Sequence, residues 1–408
     1  MIKQAKQKTS IESVWLKAAV AGGLWASVEI IIGSFFHNLR IPFAGSILAA
    51  NGTILMIAFY QVWQEKGLIW RAGLICALMK SVSPSAIILG PMIGILSEAL
   101  IIETVIRLMG NNLVALSIGG ALSVSTAFIH KVVSLLILYG LNIVKIYVNI
   151  FHFAAKQIKI ENANPWLLIF IVIAVYIVLG FAAALTGFYI GKRSKKLKYE
   201  LQGYKIEKLK TDSIFILNKE QKFSISLFFL HLILLPAGLI FINYFSLEYA
   251  IIFIAVYSVL NISIYRKSLR RLKKPVFWLH LFILTFLAAI FWNGFNSSGS
   301  FFDIQGLLIG IEMNARAIFV VIAFSSLSVE LRNPVIKDFL FRRGFNKIYI
   351  ALGLSFNALP VMIDAMPRPK YFLRHPVDSF SKMIAHADEW LGIFKRISLQ
   401  TDKPGDHS

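Results

Sequence analysis

Residues 166–190 read WLLIFIVIAVYIVLGFAAALTGFYI, a run of 25 residues without a charged side chain. A helix of about 20 apolar residues crosses the roughly 30 Å hydrocarbon core of a bilayer, so this run predicts a membrane span. The basic sequence GKRSKKLK follows at once, over residues 191–198. Because lysine and arginine concentrate in cytoplasmic loops, we expect the chain to leave the membrane on the cytoplasmic side here.

The composition of the whole chain points to a membrane protein. Of its 408 residues, 57% are hydrophobic and 15% are charged, and the mean hydropathy is +0.70. Soluble domains do not bury that much apolar surface, so a predominantly soluble enzyme is excluded. The net charge of +21 does not indicate a nucleic-acid partner, because the basic residues lie between apolar runs and not on one polar domain.

Further apolar runs on both sides of residues 166–190 predict an all-α, polytopic membrane protein with about ten transmembrane helices, six plus four. The predicted spans are residues 14–34, 45–63, 68–84, 86–108, 113–140, 166–190, 223–245, 249–265, 276–295 and 304–329. Most lysines and arginines fall on one side of this arrangement, which favours cytoplasmic N- and C-termini.

The basic stretch also predicts a boundary between two modules. The two halves show no sequence repeat, so the inverted-repeat architecture of many secondary transporters is not favoured. The predicted organisation is a six-helix module over 1–190, a basic cytoplasmic linker over 191–222, a second transmembrane module over 223–329, cytoplasmic amphipathic helices over 330–375 and a polar C-terminal tail over 376–408.

Ionisable residues inside the apolar spans of the first module are candidates for a functional site. Such residues are costly in a membrane unless they are paired or hydrated, so they mark function by default. The first outer loop adds a histidine and an arginine that face the same side. The predicted solute-binding residues are therefore Glu29, His37, Arg40, Glu98 and Glu103. An internal ion pair, such as Glu98 with Lys131, is the structural alternative.

The first span carries two stripes of small residues at four-residue spacing. One stripe is Ala18, Gly22 and Ala26, and the other is Ala19, Gly23 and Ser27. Small side chains on one face of a helix let another helix approach closely. We expect the first stripe, Ala18, Gly22 and Ala26, to form the interface between the modules; packing within the first module is the alternative.

Motifs for catalysis, cofactors and metals are missing from the sequence. Residues 187–193, GFYIGKR, differ from a phosphate-binding loop in having three residues between the glycines and arginine after the lysine. The histidines show no zinc-protease spacing, and a single cysteine, Cys76, excludes a disulfide framework or a cysteine-based zinc site. We therefore expect no catalytic residue, no metal ligand and no cofactor in this chain.

The first half resembles the substrate-binding S component of energy-coupling factor (ECF) transporters, a branch of the ABC importers. The likeness rests on six short spans, on the Ala18 stripe, and on the segments RIPFAG (40–45) and GPMIG (90–94). The second half is similar to the family's transmembrane T component. There the matching segments are NARA (314–317), SSLS (325–328), the amphipathic stretch from Pro334 and LSFNALP (354–360).

This resemblance implies a fused S–T subunit of an ATP-driven importer in the bacterial cytoplasmic membrane. The first module would capture a small solute, and residues 223–375 would relay movement from one or two separate ABC-type ATPase subunits, which bind ATP and magnesium. The chain lacks the Met-His start of the cobalt and nickel type, which favours an organic micronutrient. The arginines that the resemblance assigns to ATPase coupling are Arg342, Arg343 and Arg368, the last in MPRP (366–369) where the family carries an Ala-Arg-Gly-like triplet.

Two other classes of function are compatible with the residues. An ion- or proton-coupled secondary transporter would use Glu29, Glu98 and Glu103 for coupling. A membrane enzyme acting on lipid would need a site such as one formed by Asp303, Glu312 and His280, although their spacing supports no specific chemistry. Association with an ATPase separates the importer from both.

Overall fold

The computed structural model describes residues 13–38, 43–80, 89–160, 163–200, 225–265, 272, 275–293, 302–330, 346–364 and 369–401. These residues form fifteen helices and no strand. The predicted all-α fold class is therefore confirmed.

The described helices fall into three groups along the chain. The first group is α1 (Ser13–Asn38), α2 (Ala44–Val62), α3 (Leu68–Lys80), α4 (Leu89–Met109), α5 (Leu113–Tyr139), α6 (Asn142–Gln157) and α7 (Pro165–Glu200). The second group is α8 (Ile225–Tyr244), α9 (Leu247–Tyr265), α10 (Pro275–Phe291) and α11 (Ile304–Glu330). The third group is α12 (Asn346–Asp364), α13 (Pro369–Arg374), α14 (Pro376–Ala385) and α15 (Ala387–Thr401).

Seven helices of the described ranges are long and apolar enough to cross a membrane, namely α1, α2, α5, α7, α8, α9 and α11. The chain is thus an all-α membrane protein with several spans. Three predicted spans, 68–84, 86–108 and 276–295, coincide with α3, α4 and α10, which are not among the seven. Helices α3 and α10 have 13 and 17 residues. At 1.5 Å per residue these described lengths are about 20 and 26 Å.

Helix α1 lies at the centre of the first group. Within its apolar window 78% of the residues are buried, against 22% for α5 and for α7. It packs against α2 and α3 and also against α12 and α15 from the end of the chain. Its small residues permit these close contacts, whereas the exposed apolar faces of α5 and α7 are left for lipid.

Helix α6 occupies a stretch for which the sequence predicts no span. Its Ile146 belongs to an apolar cluster with Ala288 and Phe291 of α10 and Met313 of α11. Asn149 Nδ2 donates hydrogen bonds to the carbonyl oxygens of Phe291 and Trp292, at 2.6 and 3.1 Å. With 16 residues and a polar face, α6 is too short and too polar to be recognised as a membrane helix. It connects the two transmembrane groups.

The C-terminal helices differ from the predicted polar tail over 376–408. Phe380 of α14 and Trp390 and Phe394 of α15 are buried in the same apolar core as α1. These residues recur at helical spacing, so each short helix has one apolar face, and that face packs against the first group. The structure thus folds residues 376–401 back onto the N-terminal half.

Polar contacts hold this C-terminal segment in place. Arg193 of α7 lies 3.3 Å from Asp378 Oδ1, and Ser194 Oγ donates to the Ser381 carbonyl oxygen at 3.1 Å. The hydrogen bond from Lys382 lowers the pKa of Asp378, as do the charges of Lys382 and Arg193. Asp378 is therefore ionised at neutral pH and attracts both cations.

Candidate functional site

Helices α1, α3 and α4 bring charged side chains together in the interior of the first group. Lys80 Nζ donates to the Glu29 carbonyl oxygen at 3.0 Å and lies 3.4 Å from Glu29 Oε2. Glu98 of α4 is close enough to Glu29 for the two carboxylates to interact electrostatically. Glu29 and Glu98 expose only 5% and 7% of their surface. We refer to Glu29, Lys80 and Glu98 as the buried charge cluster.

The surroundings of the cluster explain how the ammonium group fits there. A Cβ atom at Gly33 would lie 3.4 Å from Lys80 Nζ, so glycine on α1 leaves room for the end of the lysine. The thiol of Cys76, one turn before Lys80 on α3, is also within electrostatic range of all three cluster residues. The lone cysteine of the chain therefore lines this cluster and has no part in a disulfide.

The charge balance of the cluster defines what it can bind. Lys80 pairs with Glu29, whereas Glu98 has neither a hydrogen bond nor an ion pair within the described residues. A buried carboxylate without a partner is strongly unfavourable. A solute group with a positive charge or with hydrogen-bond donors would supply the missing partner for Glu98. The arrangement has the chemistry to bind an amine or a similar cationic group.

The structure thus brings two of the predicted solute-binding residues, Glu29 and Glu98, into one cluster and adds Lys80, which the sequence analysis did not select. The sequence signal for Lys80 was a charged residue at the end of an apolar run.

The other predicted residues are not part of this cluster as described. The backbone of His37 lies in α1, but its side chain is outside the described residues, as is Arg40. Lys131 is exposed and lies 5.7 Å from the centre of the Phe43 ring. Within the described residues Glu29 pairs with Lys80, and the predicted pairing of Lys131 with Glu98 is not present.

The structure places Glu103 away from the cluster. Its carboxylate accepts hydrogen bonds from the backbone N–H groups of Gly67 and Ile69, at 2.6 and 3.1 Å, and from Arg107 Nε at 2.8 Å. The first N–H groups of a helix have no partner within the helix, and Glu103 satisfies two of them at the start of α3. Lys80 lies at the other end of that helix, about 18 Å along its axis. Glu103 therefore acts as a cap for α3.

The GPMIG segment lies at the beginning of α4 as the structure describes that helix. Helix α4 starts at Leu89, so Pro91 lies in its first turn. A proline there removes an N–H group that has no acceptor within the helix anyway. Residues Gly90, Pro91 and Gly94 are all helical, so Glu98 lies on a continuous helix from Leu89 to Met109.

The two stripes of small residues on α1 face different neighbours. A Cβ atom at Gly22 would lie 2.6 Å from the Ala72 carbonyl oxygen, so the Ala18, Gly22 and Ala26 stripe packs at this point against α3 of the same module. One residue later, a Cβ atom at Gly23 would lie 3.1 Å from the Met362 sulfur of α12. Ser355 Oγ donates to the Ala19 carbonyl oxygen at 2.9 Å. The contact with the C-terminal region is thus made by the Ala19 and Gly23 stripe.

The structure describes only some of the other residues selected from the sequence. Arg342, Arg343 and Arg368 lie outside the described residues. The Asp303 carboxylate accepts from Asn293 Nδ2 at 2.6 Å and from the Gln305 N–H at 3.0 Å, which caps the start of α11. In the part of the chain that the structure describes, no three His, Cys, Asp or Glu side chains are grouped to bind a metal.

A buried hydrogen-bonded chain in the second group was not predicted. His231 Nδ1 and Nε2 lie 3.1 Å from the hydroxyls of Tyr257 and Tyr265, respectively. Tyr265 donates to Glu330 Oε1 at 2.6 Å. All four side chains are buried, and they link α8, α9 and α11. The only sequence signal was a histidine and two tyrosines in apolar runs, which is also typical of ordinary packing.

Comparison of the chain with models of protein families, with curated proteins and with solved structures gave no match.

Proposed function

We propose that this chain is the membrane subunit of an ATP-driven importer of the ECF type. In this proposal it has ten spans and cytoplasmic termini in a bacterial cytoplasmic membrane. The first module captures a small organic micronutrient, and separate ABC-type ATPase subunits drive its uptake through the C-terminal half.

The observation that carries the proposal is the contact between α12 and α1. Helix α12 belongs to residues 330–375, the region that the resemblance assigns to coupling with the ATPases. It packs on the Ala19 and Gly23 stripe of α1, with Ser355 hydrogen-bonded to the α1 backbone. Glu29 lies on the same helix, less than two turns after Gly23. A displacement of α12 would therefore act directly on the helix that carries the buried charge cluster.

The ATPase partner is tested by purifying the protein from native membranes in mild detergent. We expect one or two ABC-type ATPases to co-purify, because the chain itself has no phosphate-binding loop. Arg342→Glu combined with Arg343→Glu should weaken this association at least tenfold, about 1.4 kcal/mol. Lys192→Glu combined with Lys196→Glu makes the same charge change on α7 and serves as the control. A complex of unchanged composition would remove Arg342 and Arg343 from the coupling role, and Arg368→Ala would then be tested alone.

The solute site is tested by a pair of substitutions on α4. We expect Glu98→Gln to lower at least tenfold the amount of small molecule that stays bound to the purified protein. Mass spectrometry after denaturation measures this amount. Glu103→Gln is the matched control: it should lower stability by about 1 kcal/mol through the loss of its capping hydrogen bonds. It should leave solute retention unchanged. Equal retention by wild type and Glu98→Gln would place the site elsewhere.

The main alternative is an ion- or proton-coupled secondary transporter, and the buried chain from His231 to Glu330 favours it. Histidine, tyrosine and carboxylate side chains in continuous hydrogen-bond contact can pass protons within a membrane. Purified protein in liposomes without any ATPase distinguishes the two functions. Solute uptake driven by a pH gradient alone would support the secondary transporter and contradict the importer.

A further inference from the structure

Arg316 is a buried charged residue inside a membrane helix. It lies near the middle of α11, about 18 Å along the axis from the start of that helix at Ile304. Only 8% of its surface is exposed, and its Nε atom is buried without a hydrogen-bond acceptor. Within the described residues its guanidinium group forms neither a hydrogen bond nor an ion pair. Arginine keeps its proton in proteins, so titration cannot remove this charge.

The guanidinium group lies where the first transmembrane group meets the second. A Cβ atom at Gly140, the residue that ends α5, would clash with Arg316 Nη1. Glycine at this position therefore leaves the space that the guanidinium group occupies. The side chains nearby along both helices are apolar, because Leu138 of α5 and Ile318 of α11 pack against the apolar core of the second group. The charge is thus held in an apolar joint between α5 and α11.

The chain compensates this charge only in part. The end of α5 at Gly140 carries the partial negative charge of its last carbonyl groups. Glu312, one turn before Arg316 on α11, is within electrostatic range, but within the described residues the two side chains form no ion pair. A buried charge without a hydrogen-bonded partner is strongly unfavourable. An anion beside Arg316 would supply the missing acceptors.

We propose that Arg316 binds the carboxylate group of an apolar molecule. The two oxygens of a carboxylate match the parallel N–H donors of a guanidinium group. One carboxylate also balances the single positive charge, whereas a phosphate dianion would add excess negative charge beside Glu312. The apolar surroundings favour an apolar body over a hydrated one. Leu141, next to Gly140, is 78% exposed and offers apolar surface to the rest of the ligand.

This site is separate from the buried charge cluster and does not depend on the importer proposal. The test uses the purified full-length chain in detergent and measures equilibrium binding of tritiated octanoate by scintillation proximity. Octanol competes as a neutral molecule with the same apolar chain, and acetate competes as a carboxylate without that chain. All variants are measured in the same detergent, so the partition of octanoate into micelles is equal among them.

The decisive variant is Arg316→Gln, which removes the charge of the site. Lys145→Gln is the matched control, because Lys145 of α6 is exposed and its ammonium group lies 3.8 Å from the centre of the Trp292 ring. We expect saturable octanoate binding by the wild type, at least tenfold weaker binding by Arg316→Gln and less than a twofold change in Lys145→Gln. Unlabelled octanoate should displace the probe at concentrations at least tenfold lower than octanol or acetate.

Three results would overturn the proposal. They are the absence of saturable binding by the wild type, equal affinity of the wild type and Arg316→Gln, and displacement by octanol or acetate that is as effective as displacement by octanoate.

A second variant tests the same site through the neighbouring carboxylate. Glu312→Gln removes a negative charge one turn from Arg316, so octanoate should bind at least twofold more tightly. This variant retains Arg316 and carries the comparison if Arg316→Gln does not fold. Unchanged or weaker binding of octanoate by Glu312→Gln would contradict an anion site at Arg316.

Discussion

Lys80→Met is expected to destabilise the protein by about 3–5 kcal/mol, one of the two largest effects among our predictions. The substitution leaves the Glu29 carboxylate, which is 5% exposed, without the ammonium group 3.4 Å away. Removing one member of a buried ion pair leaves an uncompensated charge, and this costs more than the pair contributes. Denaturation of the purified protein in mixed micelles measures the change.

Two further variants show whether the loss comes from the charge. Glu29→Gln together with Lys80→Met removes both charges, so most of the stability should return, to within about 1 kcal/mol of wild type. Lys131→Met is the matched control, because Lys131 is exposed and its ammonium group lies 5.7 Å from the centre of the Phe43 ring. It should cost less than about 1 kcal/mol. Equal losses in Lys80→Met and in the double variant would show that Lys80 acts through packing.

Gly22→Leu is expected to prevent folding of the first module, whereas Gly23→Leu should leave that module folded. At Gly22 the first added atom meets a backbone carbonyl oxygen at 2.6 Å, and a backbone atom of a packed helix cannot move aside cheaply. At Gly23 the nearest atom is the end of the Met362 side chain, which is flexible. The smaller substitutions should follow the same order, with losses of about 3 kcal/mol for Gly22→Ala and below about 1 kcal/mol for Gly23→Ala.

Hydrogen exchange provides a second measurement, besides stability, that separates the roles of Gly22 and Gly23. In Gly23→Leu the larger side chain should separate α12 from α1, so the amides of residues 346–364 should exchange faster while those of α1 to α4 keep their protection. Under the importer proposal this variant would also retain solute and lose ATP-driven uptake. Unchanged protection of residues 346–364 would mean that α12 tolerates the larger side chain and that Gly23 is not essential to the joint.

The buried charge cluster shows how far the sequence alone reaches toward the candidate site. Ionisable residues in apolar runs stand out because the membrane penalises them, and Glu29 and Glu98 were selected for that reason. The partner of Glu29 was not predictable, because Lys80 is 51 residues away and meets it only through the packing of α3 on α1. Glu103 stood out by the same rule, and only the structure shows that its carboxylate caps α3.

The C-terminal helices show the same limit for the fold. Phe380, Trp390 and Phe394 are separated by polar residues, so the average composition of the segment is that of a tail. Once the segment is helical, these side chains share a face and are buried against α1. A short helix gains its stability mainly from tertiary packing of that face, which no local property of the segment reports.

The sequence by itself determined that this is an all-α membrane protein, because long apolar runs have one stable form in a bilayer, in which the helix satisfies its own backbone hydrogen bonds. It also marked the two stripes of small residues on α1. Only the tertiary structure decided that Gly22 meets α3 and Gly23 meets α12. Adjacent residues on a helix point about 100° apart, so both stripes satisfy the same sequence pattern, and the choice depends on which helices surround α1.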